Sequence, residues 1–202
     1  MRAFWHQTRF MHLHPVMRYN PDKHHRRSIR LKGYDYSSPG GYFLTLCTHE
    51  RKCLFGEIQN GRMILSDWGA IVAEEWKKSA QIRQEIELDV WVVMPNHFHG
   101  IVFITDVGVS GDSSQHPHRT DKKGIMPLMK PKSISSLMAG FKSATTKRIN
   151  QLRNASVTPV WQRNYHDRII RDEAALQTIR QYVRNNPQQW QIDQMHPENP
   201  SK

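Results

Sequence analysis

The chain has 202 residues, which suffice for one ordinary domain with a hydrophobic core and some appended segments, but not for two full domains. Its 29 Lys and Arg residues exceed its 18 Asp and Glu residues, and the formal net charge of +11 favours a polyanionic partner, nucleic acid above all. Two cysteines exclude a disulfide scaffold, and the chain shows neither an apolar run that could span a membrane nor a secretory leader. We therefore expect a cytoplasmic protein without a membrane partner.

The N-terminal residues 1–32 are rich in Arg, Lys and His, and their apolar residues follow no period, so we interpret them as a flexible basic arm. The predicted folded domain covers residues 33–192, and residues 193–202 are interpreted as a tail. Within that domain, residues 105–133 mix Gly, Ser, Pro and charged residues without periodicity, which predicts a mobile loop.

The first half of the domain alternates strand and helix patterns. Residues 42–47 form a β-rich run after the turn sequence SSPGG and predict a strand, and Asn60 with Gly61 is typical of the turn of a small hairpin. From residue 67 to residue 82, apolar residues recur at helical spacing. Ser66 is expected to cap the helix that this spacing predicts.

The middle of the domain predicts a second hairpin. Residues Ile86–Met94 alternate at first and end as an apolar run, which predicts a central strand. We expect one face of this strand to carry its alternating apolar residues: Ile86, Leu88, Val90 and Val92. A tight turn at Pro95 and Asn96 is expected to lead into the antiparallel strand His97–Ile104.

The last part of the domain predicts a helix over Ile134–Leu152, a strand within residues 161–170, and a further helix that begins after Asp172 and ends at Pro187. The resulting order of strands and helices is βαββαβ with one added helix. This order predicts a ferredoxin-like α+β sandwich, in which an antiparallel sheet carries helices on one face.

Two histidines, His97 and His99, stand one residue apart in the predicted strand. A strand has a side-chain period of two, so both imidazoles point to the same face and are placed to share one metal ion or one phosphate. Spacing alone is weak support, since the pairs at residues 12 and 14 and at residues 116 and 118 have it too. A purely structural role for His97 and His99 is the alternative.

Two imidazoles leave a divalent ion under-coordinated, so a third ligand is expected elsewhere. On the last predicted helix, Tyr182 and Asn186 are one turn apart and share a face, while Leu176, Ile179 and Val183 can hold the helix against the sheet. If the helix packs beside the histidine strand, Asn186 completes the site and the Tyr182 hydroxyl stands near the ion. The alternative interpretation is a boundary aromatic and a C-terminal helix cap.

Several separated motifs, taken together, resemble the REP-associated tyrosine transposases within the single-tyrosine HUH transposase group. They are MPNHFHG at residues 94–100, WQRNYHDRIIRDE at 161–173 and QYVRNNPQQW at 181–190, with further similarity at 26–58 and 140–150. The match covers about residues 26–192. It implies one HUH transposase-like domain that cleaves and rejoins single-stranded DNA near hairpin, REP-like sequences through a covalent 5′-phosphotyrosine.

The resemblance also implies roles for individual residues. His97 and His99 correspond to the metal ligands, Asn186 to the third ligand and Tyr182 to the nucleophile, with Mg²⁺ or Mn²⁺ as the cofactor. Tyr165 is the competing candidate for the nucleophile, although no helical partner residue supports it. Related proteins act as monomers or as homodimers, and both states remain open for this chain.

Basic and aromatic side chains are expected to contact the DNA backbone and unpaired bases, respectively. The predicted contacts are Arg26, Arg27, Arg30, Lys32, Lys142, Lys147, Arg148, Trp161 and Tyr165. His166 and Asp167 are either further contacts or a polar strand end.

Two other functions are compatible with the residues alone. One is a metal-dependent phosphoesterase that uses the histidine pair with water as the nucleophile. The other is a non-catalytic nucleic-acid-binding protein, since ferredoxin-like sheets also bind RNA. A domesticated transposase that binds its hairpin without moving it is a further variant.

Overall fold

The structure, a computed structural model, describes residues 31, 33–106 and 131–199. Several predictions lie outside these residues. They concern the basic arm apart from residue 31, residues 107–130 of the predicted loop, the last three residues, the histidines at 12, 14, 116 and 118, and the candidate DNA contacts Arg26, Arg27, Arg30 and Lys32.

The central element is a four-stranded antiparallel sheet in the order β4-β5-β1-β6. Its strands are β1 (Gly40–Cys47), β4 (Ile86–Met94), β5 (His97–Ile104) and β6 (His166–Ile170). A separate hairpin consists of β2 (Gly56–Gln59) and β3 (Arg62–Leu65), and the helices are α1 (Asp67–Ile82), α2 (Ile134–Leu152) and α3 (Glu173–Asn185). This arrangement confirms the predicted ferredoxin-like α+β fold. No described helix has both the length and the apolarity to cross a membrane.

Local sequence explains where the elements begin and end. Asn60 and Gly61 have φ angles of 50° and 72°, the left-handed backbone that the two-residue hairpin turn between β2 and β3 requires. The Ser66 hydroxyl accepts a hydrogen bond from the Gly69 amide at the start of α1, and the Asp172 carboxylate accepts one from Ala175 at the start of α3. Both predicted caps are therefore confirmed.

The larger hydrophobic core lies between the sheet and the pair α1 and α2. The rings of Trp76, Phe98 and Phe141 pack there with centroid distances of 4.8 to 5.6 Å. Gly100 lies beside them, and a Cβ added to it would stand 2.8 Å from the Phe98 ring and 3.0 Å from the Trp76 ring. The glycine that follows the histidine pair is thus needed for close packing in this core.

The opposite face of the sheet is covered by α3. Ile101 of β5 packs there with Leu176, Ile179 and Val183, which form the apolar side of the helix as predicted. The Arg180 guanidinium donates to the Asp89 carboxylate of β4 over 2.7 Å, and this ion pair fixes α3 over the β4 side of the sheet.

The predicted face of β4 is wrong beyond Leu88, because the strand contains a β-bulge. Leu88 is paired with Val102, but Trp91 is paired with Gly100, so β4 has one residue more than its partner over this stretch. A bulge shifts the side-chain alternation by one position. As a result, Val90 and Val92 face the α3 cluster, whereas Ile86 and Leu88 face the larger core.

Candidate metal and tyrosine site

The histidine pair lies on the α3 face of β5, as the strand period predicts. His97 and His99 have 0% and 1% of their surface exposed, and their ring centroids are 4.6 Å apart. In the register with β1, His99 lies opposite Thr45, whose hydroxyl is 2.8 Å from His99 Nδ1. That contact directs the Nε2 atom of His99 towards α3.

Tyr182 and Asn186 meet the histidines from the last turns of α3. The Tyr182 hydroxyl lies 3.2 Å from His99 Nε2, and Asn186 Oδ1 lies 3.3 Å from His97 Nε2. Asn186 is buried, whereas Tyr182 is 39% exposed and can be reached from solvent. The structure therefore brings together the four residues that the sequence proposed for the site. Tyr165 instead packs against the core on the α1 and α2 face.

A fifth residue of the site, Asp193, was missed by the sequence analysis. After α3, a short 3-10 turn at Trp190–Ile192 is followed by Asp193, whose Oδ2 accepts a hydrogen bond from Asn186 Nδ2 over 2.9 Å. A ligand atom of each of His97, His99 and Asp193 lies within 4.8 Å of the others, a spacing that one metal ion can bridge. Asp193 lies beyond Pro187 in a segment interpreted as tail, and no local pattern marks it.

The hydrogen bonds of the site leave two acceptors facing each other. The Asn96 amide donates to the backbone carbonyls of Arg51 and Met195, so its Oδ1 faces His97 Nδ1 at 2.9 Å and that nitrogen carries the proton. In the neutral ring, His97 Nε2 then presents a lone pair to Asn186 Oδ1, which Asp193 holds in place. A cation bound between these two atoms would satisfy both.

Burial controls the protonation of the site. It lowers the pKa of His97 to about 4 against a smaller opposing effect of Asp193, and it lowers the pKa of His99 well below 6.5, with the neighbouring His97 adding to the effect. Both imidazoles are therefore neutral at pH 7 and available as ligands. Burial first and Asp193 second raise the pKa of the Tyr182 phenol to about 12.

The donor atoms fit a divalent metal ion. The site offers a mixed set of nitrogen and oxygen ligands: two neutral imidazoles, one amide oxygen and one carboxylate. Two of these acceptors, His97 Nε2 and Asn186 Oδ1, already face each other. Imidazole ligands favour Mn²⁺ over Mg²⁺, which prefers oxygen ligands throughout.

The basic residues of α2 that were predicted to contact DNA differ in whether they already bind other groups of the protein. Lys142 Nζ donates to the carbonyls of Gln162 and Arg163, and Arg148 forms ion pairs with Glu74 and Glu75 of α1. Lys147 is exposed.

Trp161 is only 5% exposed, and its indole N–H donates to Thr145 Oγ1. Its ring packs against Phe55 and Phe141 in the core. This placement argues against the predicted base stacking by Trp161, since a stacking platform needs an exposed ring face.

Comparison with other proteins identifies a relative by sequence and a solved structure with a similar fold. No family model matches the chain. An uncharacterized protein of Haemophilus influenzae (strain ATCC 51907 / DSM 11121 / KW20 / Rd) is 38% identical over 179 residues, which cover 89% of this chain and 97% of that protein. The structure of a REP-associated tyrosine transposase bound to a REP hairpin aligns with a TM-score of 0.52 and 18% identity, over 81% of this chain and 74% of that chain. At this identity the likeness concerns the fold.

Proposed function

The chain belongs to the same protein family as the uncharacterized Haemophilus influenzae protein, and we propose that it is a metal-dependent endonuclease and strand transferase of the transposase type. Its substrate is single-stranded DNA next to a hairpin, and the reaction passes through a covalent 5′-phosphotyrosine. The observation that carries this proposal is the contact of the half-exposed Tyr182 hydroxyl with a buried histidine pair that can hold a divalent ion.

Two further observations support a DNA substrate. The fold is similar to that of a REP-associated tyrosine transposase whose structure contains a REP hairpin. The net charge of +11 favours a nucleic-acid partner, because cationic side chains displace the counterions that surround phosphates.

In this proposal the Tyr182 oxygen attacks the phosphorus of a phosphodiester. The phenol loses its proton as a bond between the tyrosine oxygen and phosphorus forms, the bond from phosphorus to the 3′ oxygen breaks, and that oxygen takes up one proton and leaves as a 3′ hydroxyl, so the step releases and consumes one proton each. The covalent ester keeps the phosphate activated, so a 3′ hydroxyl can later attack it and release the tyrosine. Cutting and rejoining therefore need no external energy source.

The roles of the other side chains follow from their positions. His97, His99 and Asn186 are expected to hold the ion, with Asp193 either orienting the Asn186 amide or binding the ion itself. When bound, a divalent ion there would neutralise charge on the scissile phosphate and lower the cost of removing the phenol proton. The Thr45 hydroxyl fixes the orientation of the His99 ring.

A covalent adduct tests this function directly. The protein is incubated with hairpin DNA that carries single-stranded extensions, in the presence of Mn²⁺, and the products are separated on a denaturing gel. We expect a protein–DNA adduct that disappears in Tyr182→Phe and persists in Tyr165→Phe, the matched control. DNA cleavage without an adduct would instead support the phosphoesterase that uses water, and an absence of both cleavage and adduct would support a binding protein.

A further inference from the structure

A cavity of about 410 Å³ lies beside Tyr182, between α3 and the β1 and β6 side of the sheet. Strand β1 contributes Phe43 and Thr45, and α3 contributes Thr178, Ile179 and Tyr182. Strand β6 contributes residues 166–168. We call this cavity the β6 pocket. Apart from Tyr182 and Thr45, none of its residues has a role in the reaction proposed above.

The topology explains why this part of the sheet is open. Since the ion pair between Arg180 and Asp89 holds α3 over the β4 side, the opposite side of the same face is only partly covered. In the register with β1, Arg168 lies opposite Phe43 and His166 lies opposite Thr45, so these side chains share the face of the pocket. Arg168 and His166 are exposed, and β6 is an edge strand.

The chemistry of the pocket matches an unpaired nucleotide. The rings of Phe43 and Tyr182 are perpendicular with centroids 6.1 Å apart, and Ile179 adds an apolar surface. Cationic Arg168 stands at the rim, and within the described residues it has no carboxylate partner. A nucleobase has apolar faces that stack on aromatic rings, and the backbone next to it carries a phosphate that a cation can contact. A pocket with an aromatic interior and a cationic rim therefore suits one unpaired nucleotide.

We propose that the β6 pocket binds the base of one unpaired nucleotide next to the phosphate that Tyr182 attacks, and that Arg168 contacts the backbone phosphate of the same strand. This inference rests on the proposed function, because Tyr182 is both a wall of the pocket and the attacking residue. The pocket makes cleavage depend on the presence of a base at one defined position beside the cut.

The test uses DNA in which single bases are removed. The cleavage position is first mapped with the unmodified protein on hairpin DNA with a single-stranded extension. Binding of DNA with one abasic site at each position of the extension is then measured by fluorescence anisotropy on the Tyr182→Phe protein, which keeps the ring but cannot react. We expect one position beside the cut at which loss of the base weakens binding by about 5- to 150-fold.

Filling the pocket should remove that effect. Thr178 is an exposed residue of α3 that lines the pocket, so Thr178→Trp should place an indole where the base would bind. In this variant, the intact and the abasic DNA are expected to bind equally. Gln181→Trp, an exposed position of the same helix that does not line the pocket, is the matched control and should retain the discrimination.

A second variant tests the contact of Arg168 with the phosphate, and it adds no bulk that could disturb the fold. Arg168→Gln should weaken binding to all positions of the series equally and reduce the slope of log affinity against log salt by about one. An unchanged salt dependence would contradict the proposed phosphate contact.

The failure of this inference differs from the failure of the proposed function. If the adduct forms but the abasic series is flat, or is the same with Thr178→Trp as without it, the pocket does not bind a base and the proposed function stands. If no adduct forms with any hairpin DNA, the proposed function fails, and the β6 pocket loses its role with it.

Discussion

The two faces of the four-stranded sheet bury different kinds of side chain. Towards α1 and α2, the central strands contribute large apolar residues such as Leu44 and Phe98, which are completely buried. Towards α3, the same two strands contribute Thr45, His97 and His99, which are also buried but polar. Both faces therefore bury apolar clusters that stabilise the fold, but the α3 face also buries polar side chains of β1 and β5 whose atoms can serve as ligands, and we call it the polar face.

The polar face carries a cost that the apolar face does not. Two acceptors, His97 Nε2 and Asn186 Oδ1, oppose each other at 3.3 Å without a proton between them when the imidazole is neutral. Buried acceptors that lack a donor destabilise the folded state. A cation that binds there would relieve this cost, so Mn²⁺ should raise the melting temperature of the protein.

The largest expected effect comes from substituting two adjacent residues of β5 that lie on opposite faces of the sheet. Phe98→Ala removes a ring from the apolar core and should lower the free energy of unfolding by about 3–5 kcal/mol. The folded fraction should still respond to Mn²⁺, since Phe98 points away from the site. His99→Ala should abolish the stabilisation by Mn²⁺. Urea unfolding with and without Mn²⁺ measures both effects, and a Phe98→Ala protein that folds but ignores Mn²⁺ would contradict the separation of the faces.

The next effect is a dependence of stability on pH that arises from the polar face. Burial lowers the pKa of His97 from 6.5 to about 4, so below pH 6.5 the unfolded chain binds more protons than the folded one. The free energy of unfolding should therefore fall as the pH drops from about 6.5 to 4, by up to about 3 kcal/mol from this residue. Metal-free urea unfolding at pH 7 and pH 4.5 measures it.

Two histidine variants test whether the buried His97 ring causes this pH dependence of stability. His97→Gln should reduce the decrease and leave the part that the buried His99 contributes, whereas His166→Gln, which changes an exposed histidine, should leave the whole decrease in place. An equal slope in both variants would mean that other groups cause the acid destabilisation.

The smallest of the three effects concerns the residue that joins the site from beyond α3. Asp193→Asn removes the charge next to Asn186 and should weaken Mn²⁺ binding by about 10- to 100-fold, measured by calorimetry. Glu198→Gln removes an equal charge at an exposed position of the same segment and should leave the affinity unchanged. If both variants bind Mn²⁺ like the unmodified protein, Asp193 has no part in the metal site.

Much of the fold follows from local patterns. The bounds predicted for α1, β4, β5 and α2 agree with those observed, because caps such as Ser66 and the periodic apolar residues act within a few residues of the chain. The bulge in β4 was not predicted, since alternation in the sequence does not show where a partner strand is shorter. The burial of Trp161 was also missed, because its partners Phe55 and Phe141 are distant in sequence.

The sequence alone determined that His97 and His99 share a face and that Tyr182 and Asn186 share another, because the side-chain periods of strands and helices are fixed by backbone geometry. Only the tertiary structure decided that these two faces meet, and that Asp193 joins them. Such contacts depend on the packing of α3 against the sheet and on the path of the chain after it, and neither is encoded in the spacing of neighbouring residues.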